Sequence, residues 1–279
     1  MDFVQILILA VVQGAAELLP VSSSAHVIVA EKLMGLDPTA PHMTLLLVML
    51  HTGTMFAVIV HFWSSWRTTY FASAQAFRAN AWLVAIATAA TGAVGLTLLQ
   101  FITHVVADGN PGFEIEHLFG NSRLMAGALA AVGVLIIVSS RFSGAGNKEM
   151  SLRSAAWIGA VQGLCLPFRG FSRSGATIST GLALGVVHRR AEEFSFALAV
   201  VLTPAVIVKE GFRLYKAQAV GTDEAALFHL IGPSLVGMGL SFLAGLVALR
   251  WLSRLLEQGR WHFFGVYCLL ASLVVLWVG

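Results

Sequence analysis

Charge is scarce in this chain. Only 11% of its 279 residues are Asp, Glu, Lys or Arg, against about 25% in an ordinary water-soluble domain. Cysteine is nearly absent too: the two present, Cys165 and Cys268, both lie in apolar runs. That excludes a disulfide framework and any cysteine-based metal spacing, and leaves two buried, inert thiols. The N-terminal residues lack a basic stretch and a small-residue cleavage site, so a cleaved signal peptide is not expected. A formal charge of +3 is too small to argue for nucleic acid, and the basic residues sit between apolar runs. What fills the sequence is apolar: 57% hydrophobic residues and a mean hydropathy of +0.82. This is the composition of an integral membrane protein. The length suits one polytopic, all-α bundle over residues 1–279.

Against that background one segment carries polar groups where lipid would make them expensive. Gln13, Glu17, Ser22, Ser23, Ser24 and His26 fall within an otherwise apolar stretch, and ionisable groups at membrane depth suggest a site. Pro20 should end the helix of residues 3–19, because it lacks an N–H and disfavours helical backbone at Leu19. The serines can then cap a second short helix, to about Leu33. A weaker echo begins 149 residues later, from Gln162-Gly163 through Pro167 to Arg169-Gly170-Phe171-Ser172-Arg173-Ser174-Gly175-Ala176-Thr177. It falls between short helices at 154–168 and 175–187. Each pair of short helices reads as a re-entrant hairpin, a form tolerated where it lines a buried cavity.

Apolar runs at 44–63, 81–102, 123–140, 193–213, 229–249 and 262–278 read as full spans. The loops at 64–80, 141–153, 188–190 and 250–260 are basic and should be cytoplasmic, and the loop at 103–122, with Asp108, Glu114 and Glu116, external. Lys209, Arg213 and Lys216 fall on the external side, against this rule. Ala57-Val58-Ile59-Val60 recurs as Ala205-Val206-Ile207-Val208, and charge gives the two spans opposite directions. The halves, roughly 1–140 and 150–279, are therefore expected to be inverted repeats with their breaks meeting near the midplane, as in transporter folds.

Gln13 and Glu17 are four apart and share a helix face. Glu17 could be a base, a hydrogen-bond orienter or a metal ligand. Ser23 and His26, three apart, resemble the core of an activated nucleophile that Glu17 could orient. Ser172, Arg173, Ser174 and Thr177 open a short helix whose free N–H groups suit phosphate, and arginine adds a bidentate fork. Gly170 and Gly175 permit close backbone approach. Arg169 fits either a second phosphate contact or a headgroup anchor. His42, His51 and His61, about ten residues apart, do not share a helix face as metal ligands; they are expected to be interfacial or packing residues.

At these motifs the sequence resembles the undecaprenyl pyrophosphate phosphatase family of the BacA/UppP type. Gln13, Glu17, Pro20, Val21, Ser22, Ser23 and His26 match its first motif; Gly170, Ser172, Arg173, Ser174 and Thr177 match its second; and the run Glu193 to Phe196 is shared. The resemblance covers essentially the whole chain. It implies an inverted-repeat bundle with two re-entrant hairpins in a bacterial inner membrane. It also implies hydrolysis of a polyprenyl pyrophosphate to the monophosphate on the external face, recycling the lipid carrier for cell-wall synthesis and conferring bacitracin resistance. Assistance by a divalent cation, Mg²⁺ or Ca²⁺, is implied, with Glu17 as orienter or metal ligand. By position, Ser23 is nucleophile or its aide, His26 proton carrier or alternative nucleophile, and Arg173 the phosphate clamp. Gln13, Ser22, Ser24, Arg169, Gly170, Ser172, Ser174 and Thr177 would line the substrate site. The expected partners are the pyrophosphate lipid, membrane lipids and, as a homodimer, a second copy. The chain departs from the family at Gln13, which removes a carboxylate, at Arg169, where proline is usual, and at Ala25, where glycine is common.

The residues alone leave two classes of function open, a lipid pyrophosphatase and a lipid-phosphate flippase or anion transporter using the same site. On the phosphatase reading, Arg173→Lys loses most turnover, because a point charge cannot replace the guanidinium fork. Near-normal turnover in a phosphate-release assay would contradict the clamp role.

Overall fold

The computed structural model describes residues 2–36, 41–106, 121–142, 146–218 and 224–278. Among these it is helical, with no strand beyond a parallel bridge between Lys148 and Val186. The helices are α1 (Phe3–Leu18), α2 (Ser23–Leu33), α3 (Pro41–Thr69), α4 (Ala74–Phe101, continued by a π turn, Ile102–Val106), α5 (Ser122–Ser140) and α6 (Leu152–Leu164). They are followed by α7 (Arg173–Ala183), α8 (His188–Gln218), α9 (Glu224–Glu257) and α10 (His262–Val278). Among the described residues four segments are long and apolar enough to cross a membrane: Met43–Thr69, Ala74–Val105, Ser122–Ser140 and Ile231–Glu257; α1 and α10 are shorter apolar helices.

The first break falls where proline requires it. Leu19 is extended, at φ −73° and ψ 153°, and α1 stops at Leu18. The second comes earlier than expected: α6 ends at Leu164 rather than 168, since Pro167 disfavours helix at Leu166 and the chain turns through Cys165. Helix α7 begins at Arg173 rather than 175, because Ser172 caps it by accepting from the Gly175 N–H at 3.2 Å. The expected loop at 64–80 is mostly helix; α3 runs on to Thr69 and α4 starts at Ala74, capped by Ser73. Arg67 and Arg78 are therefore helical residues. Most of the expected external loop, including Asp108, Glu114 and Glu116, lies outside the described residues.

The chain forms two compact units. One comprises 1–19, 26–63 and 199–252, the other 20–25, 64–198 and 253–279. In the first, α1 packs on α9 through Gly14, where a methyl group would lie 2.7 Å from the Ser241 carbonyl. The Ser241 hydroxyl donates to the Leu50 carbonyl on α3 at 2.9 Å. Ile6, Leu9, Ala10, Val27, Met43, Leu46 and Leu50 form the apolar core. In the second unit, α6 packs on α4 through Gly163, where a methyl would lie 2.9 Å from the Thr91 carbonyl. The Thr91 hydroxyl reaches the Gly159 carbonyl at 2.9 Å and accepts from Gln162 Nε2 at 3.0 Å. Close glycine contacts of this kind give association in lipid, where no hydrophobic effect drives it. Helices α5 and α10 meet reciprocally at Gly133 and Gly265, each facing the other's carbonyl.

The start of α8 holds a buried polar cluster in the second unit. Glu193 accepts from Arg189 Nε at 3.1 Å, from Arg190 Nη1 at 3.3 Å, and from the Ser65 hydroxyl. Arg190 also donates to Asn80 Oδ1 at 2.9 Å. Glu192 accepts from Ser253 Oγ at 2.6 Å, yet burial, with Glu193 and Glu257 nearby, pushes its carboxyl up to about 7. An unfolded glutamate ionises near 4.3, so between there and about 7 the folded state holds the extra proton. Stability conferred by the protonated form is present below that window and lost as pH rises through it. Glu192→Gln is expected to flatten the decline of melting temperature between these limits and to melt no lower than the native chain at pH 8. Melting profiles of the two that fall in parallel with pH would contradict the assignment.

Ser22, just before α2, takes φ +67°, the only non-glycine residue described with positive φ. Ser22→Gly should melt higher than Ser22→Ala, by roughly 1 kcal/mol in stability, since both lose the hydroxyl and only glycine relieves the left-handed backbone. Equal denaturation midpoints for the two would show that no strain is held there.

Candidate active site

In the first unit the site is built on consecutive turns of α1. Gln13, 1% exposed, donates from Nε2 to Glu17 Oε2 at 3.2 Å, so the expected shared face is realised. The same carboxylate oxygen lies 3.7 Å from Nε2 of His51, one side of α3. His51 is anchored in turn: its Nδ1 is 2.8 Å from the Leu47 carbonyl, which can only accept, so Nδ1 carries the proton. Sequence spacing placed His51 among packing residues. Only tertiary structure brings it to Glu17, because the two lie on different helices.

In the second unit the two serine-rich breaks touch. The Pro20 carbonyl would be 3.2 Å from a methyl on Gly175, in the first turn of α7, and it accepts a long hydrogen bond from Cys268 Sγ at 3.3 Å. A methyl at 175 would crowd the Pro20 carbonyl, the Ser172 hydroxyl and Ile136 alike, each at 3.2 Å, so glycine leaves this contact unstrained. Each break carries the same hydroxyl pair: Ser22 Oγ and Ser24 Oγ at 3.3 Å, Ser172 Oγ and Ser174 Oγ at 3.4 Å. Gly170 has φ +102°, and a side chain there would strike the Met125 carbonyl. This turn delivers Ser172 to its capping position and Arg173 to the first residue of α7.

Thr177 lies one turn after Arg173 and is fully buried. Its hydroxyl donates to the Arg173 carbonyl at 2.8 Å, so the 2.6 Å contact with Ser195 Oγ has Ser195 donating. Thr177 therefore braces α7, with its hydroxyl bonded to both the Arg173 carbonyl and Ser195. Ser195, within the shared run Glu193 to Phe196, meets Thr177 in a contact that no spacing marked.

Exposure sorts the remaining residues. Gln13, Ser22, Gly170, Ser172 and Ser174 are buried, while Glu17, Ser23, Ser24, His26 and Arg173 are half-buried and Arg169 is exposed. The groups expected to do chemistry are half-buried, and one of them, Glu17, is held by the buried Gln13. Glu17 and His26 belong to the first unit, Ser23 and Arg173 to the second.

The fit to a divalent cation can be judged from the donors. Among the described residues no three His, Cys, Asp or Glu side chains converge, which excludes an all-protein cage there. Glu17 with His51 offers one oxygen and one nitrogen donor, a partial set that fits an ion taking its other positions from water and substrate phosphate.

Comparison with known proteins agrees with these motifs. Residues 6–274 match the family model described as bacitracin resistance protein BacA. The chain is 65% identical to undecaprenyl-diphosphatase 2 of Acinetobacter baylyi over 99% of its own length and 98% of the relative's. It is 30% identical to undecaprenyl-diphosphatase of Desulfosudis oleivorans, over 100% and 99% of the two chains. It is 33% identical to undecaprenyl-diphosphatase 1 of Burkholderia pseudomallei, over 96% and 94%. Two helix breaks with matching serine pairs, a Gln-Glu face and full-length similarity converge on one assignment: the chain belongs to the BacA family.

Proposed function

We propose that this protein hydrolyses undecaprenyl or a similar polyprenyl pyrophosphate to the lipid monophosphate and inorganic phosphate. The observation that carries the reading is the contact between the two breaks: paired hydroxyls and the capped start of α7 gather around the Pro20–Gly175 junction. Full-length relatives bearing the name undecaprenyl-diphosphatase supply the substrate class.

Phosphoryl transfer needs positioning and charge neutralisation more than covalent machinery. Arg173, at the start of α7, combines a guanidinium with the helix's positive end, a favourable pairing for pyrophosphate oxygens. The terminal phosphorus takes a new bond to the attacking oxygen or nitrogen and loses its bond to the bridging oxygen, which leaves as lipid monophosphate. Ser23, His26 or water can attack; His26 carries the displaced proton in the serine and water routes. After attack by Ser23 or His26, water releases phosphate from the enzyme. Glu17 orients the imidazole or holds a cation. A bound Mg²⁺ or Ca²⁺ would neutralise charge on the pyrophosphate. Ser22, Ser24, Ser172, Ser174 and Arg169 are assigned to substrate binding.

The reading includes a single bundle of two inverted repeats, each with a re-entrant hairpin, in the bacterial inner membrane, with the site open to the external side; a homodimer fits it. Equivalent packing supports the repeat. Gly14 lies on the Ser241 carbonyl and Gly163 on the Thr91 carbonyl, with 149 residues between the glycines and 150 between the partners. In each pair, one half supplies the glycine and the other half the span. The reciprocal Gly133–Gly265 contact is what a pseudo-two-fold axis would produce.

Detergent-purified protein incubated with a short-chain prenyl pyrophosphate should release phosphate, and His26→Ala should lower the rate by at least about 100-fold. Lipid monophosphate crossing liposomes with no phosphate release would instead establish a carrier.

A further inference from the structure

His51 is a second protein ligand for the cation of this site, we propose, and its nitrogen biases the site toward metals that accept imidazole. The inference rests on the pyrophosphatase reading, because substrate oxygens complete the coordination, but it concerns a residue that neither the motifs nor the family resemblance singles out.

Three observations in the first unit carry it. First, the Leu47 carbonyl fixes the proton on Nδ1. A neutral His51 therefore turns the lone pair of Nε2 toward Glu17 Oε2. This is the arrangement of metal-binding histidines, whose second N–H is held by a carbonyl or carboxylate. Second, Nε2 and Oε2 are 3.7 Å apart. That is too long for a hydrogen bond, and it is within a few tenths of an ångström of the roughly 3.4 Å that separates two tetrahedral ligands each bonding a shared ion at about 2.1 Å. Third, Gln13 donates to Glu17 from its amide nitrogen, which steadies the carboxylate without adding charge. Two carboxylates would suit Mg²⁺ or Ca²⁺; one carboxylate with an imidazole suits Mn²⁺ or Zn²⁺ better.

The first two observations are also compatible with a protonated imidazole paired to Glu17, and the experiment separates the two states. Mn²⁺ is added to the full-length protein in detergent, at a pH where free imidazole is neutral, and its electron spin echo is recorded on native protein and on protein labelled with ¹⁵N-histidine. The expected result is a histidine nitrogen modulation that changes frequency with the label. It disappears in His51→Ala and His51→Gln but persists in His26→Ala, and Mn²⁺ affinity falls on the order of 10-fold or more in both His51 variants. Mn²⁺ bound without histidine modulation, modulation that survives in the His51 variants, or no Mn²⁺ binding by the native protein would each overturn the proposal. A native spectrum without histidine coupling overturns the proposal even if a variant fails to fold, and the two His51 variants give two independent chances to assign a coupling that is seen. Phosphate release measured in parallel tests the reaction separately: turnover without histidine coupling sinks only the His51 assignment, and coupling without turnover sinks only the phosphatase reading.

Discussion

A helix broken inside an apolar bundle leaves backbone N–H groups that lipid cannot satisfy, and this constraint organises the molecule. The chain contains two such breaks, each next to a proline and each followed by a serine-flanked helix start. One solution is local, as where Ser172 caps α7. The other is to make the free groups useful, because a helix start that still has donors to offer is a place for an anion. Glycine at 175 lets the Pro20 carbonyl come close to the second helix start, so the breaks share one region of the second unit.

Rigidity around that region comes from ordinary packing put to unusual use. Gly14 and Gly163 let α1 and α6 lie almost backbone to backbone on long helices; Thr91 spends its hydroxyl on a carbonyl across the second of these contacts, and Ser241 ties α9 to the Leu50 carbonyl of α3. Ser195 holds Thr177, and Thr177 holds the carbonyl of Arg173. The guanidinium is therefore carried by a braced helix. Placement of this quality matters for a reaction whose acceleration comes mainly from position and charge.

Much of this was legible in the residues. Composition gives the membrane class, Pro20 gives the end of α1, and the Gln13–Glu17 spacing gives a pair that the structure realises at 3.2 Å. Element ends were less legible. The stretch at 64–80 is polar enough to suggest a loop, but Arg67 and Arg78 are good helix formers and their helices run past the apolar core. Roles set by tertiary contact were not legible at all. His51 and Ser195 lie on helices remote in sequence from the groups they meet, and periodicity reports only the face of a residue's own helix. Thr177 is marked in the sequence only as a member of the second motif; its contact with Ser195 is set by tertiary structure.

The account stands on one anion held jointly by both helix starts. The most direct measurement is a structure of the protein with a non-hydrolysable prenyl methylenebisphosphonate. The two phosphonate groups should lie against both Ser22–Ser24 and Ser172–Ser174, with the Arg173 guanidinium on the terminal one. Phosphonates bound at only one break, or remote from both, would contradict it.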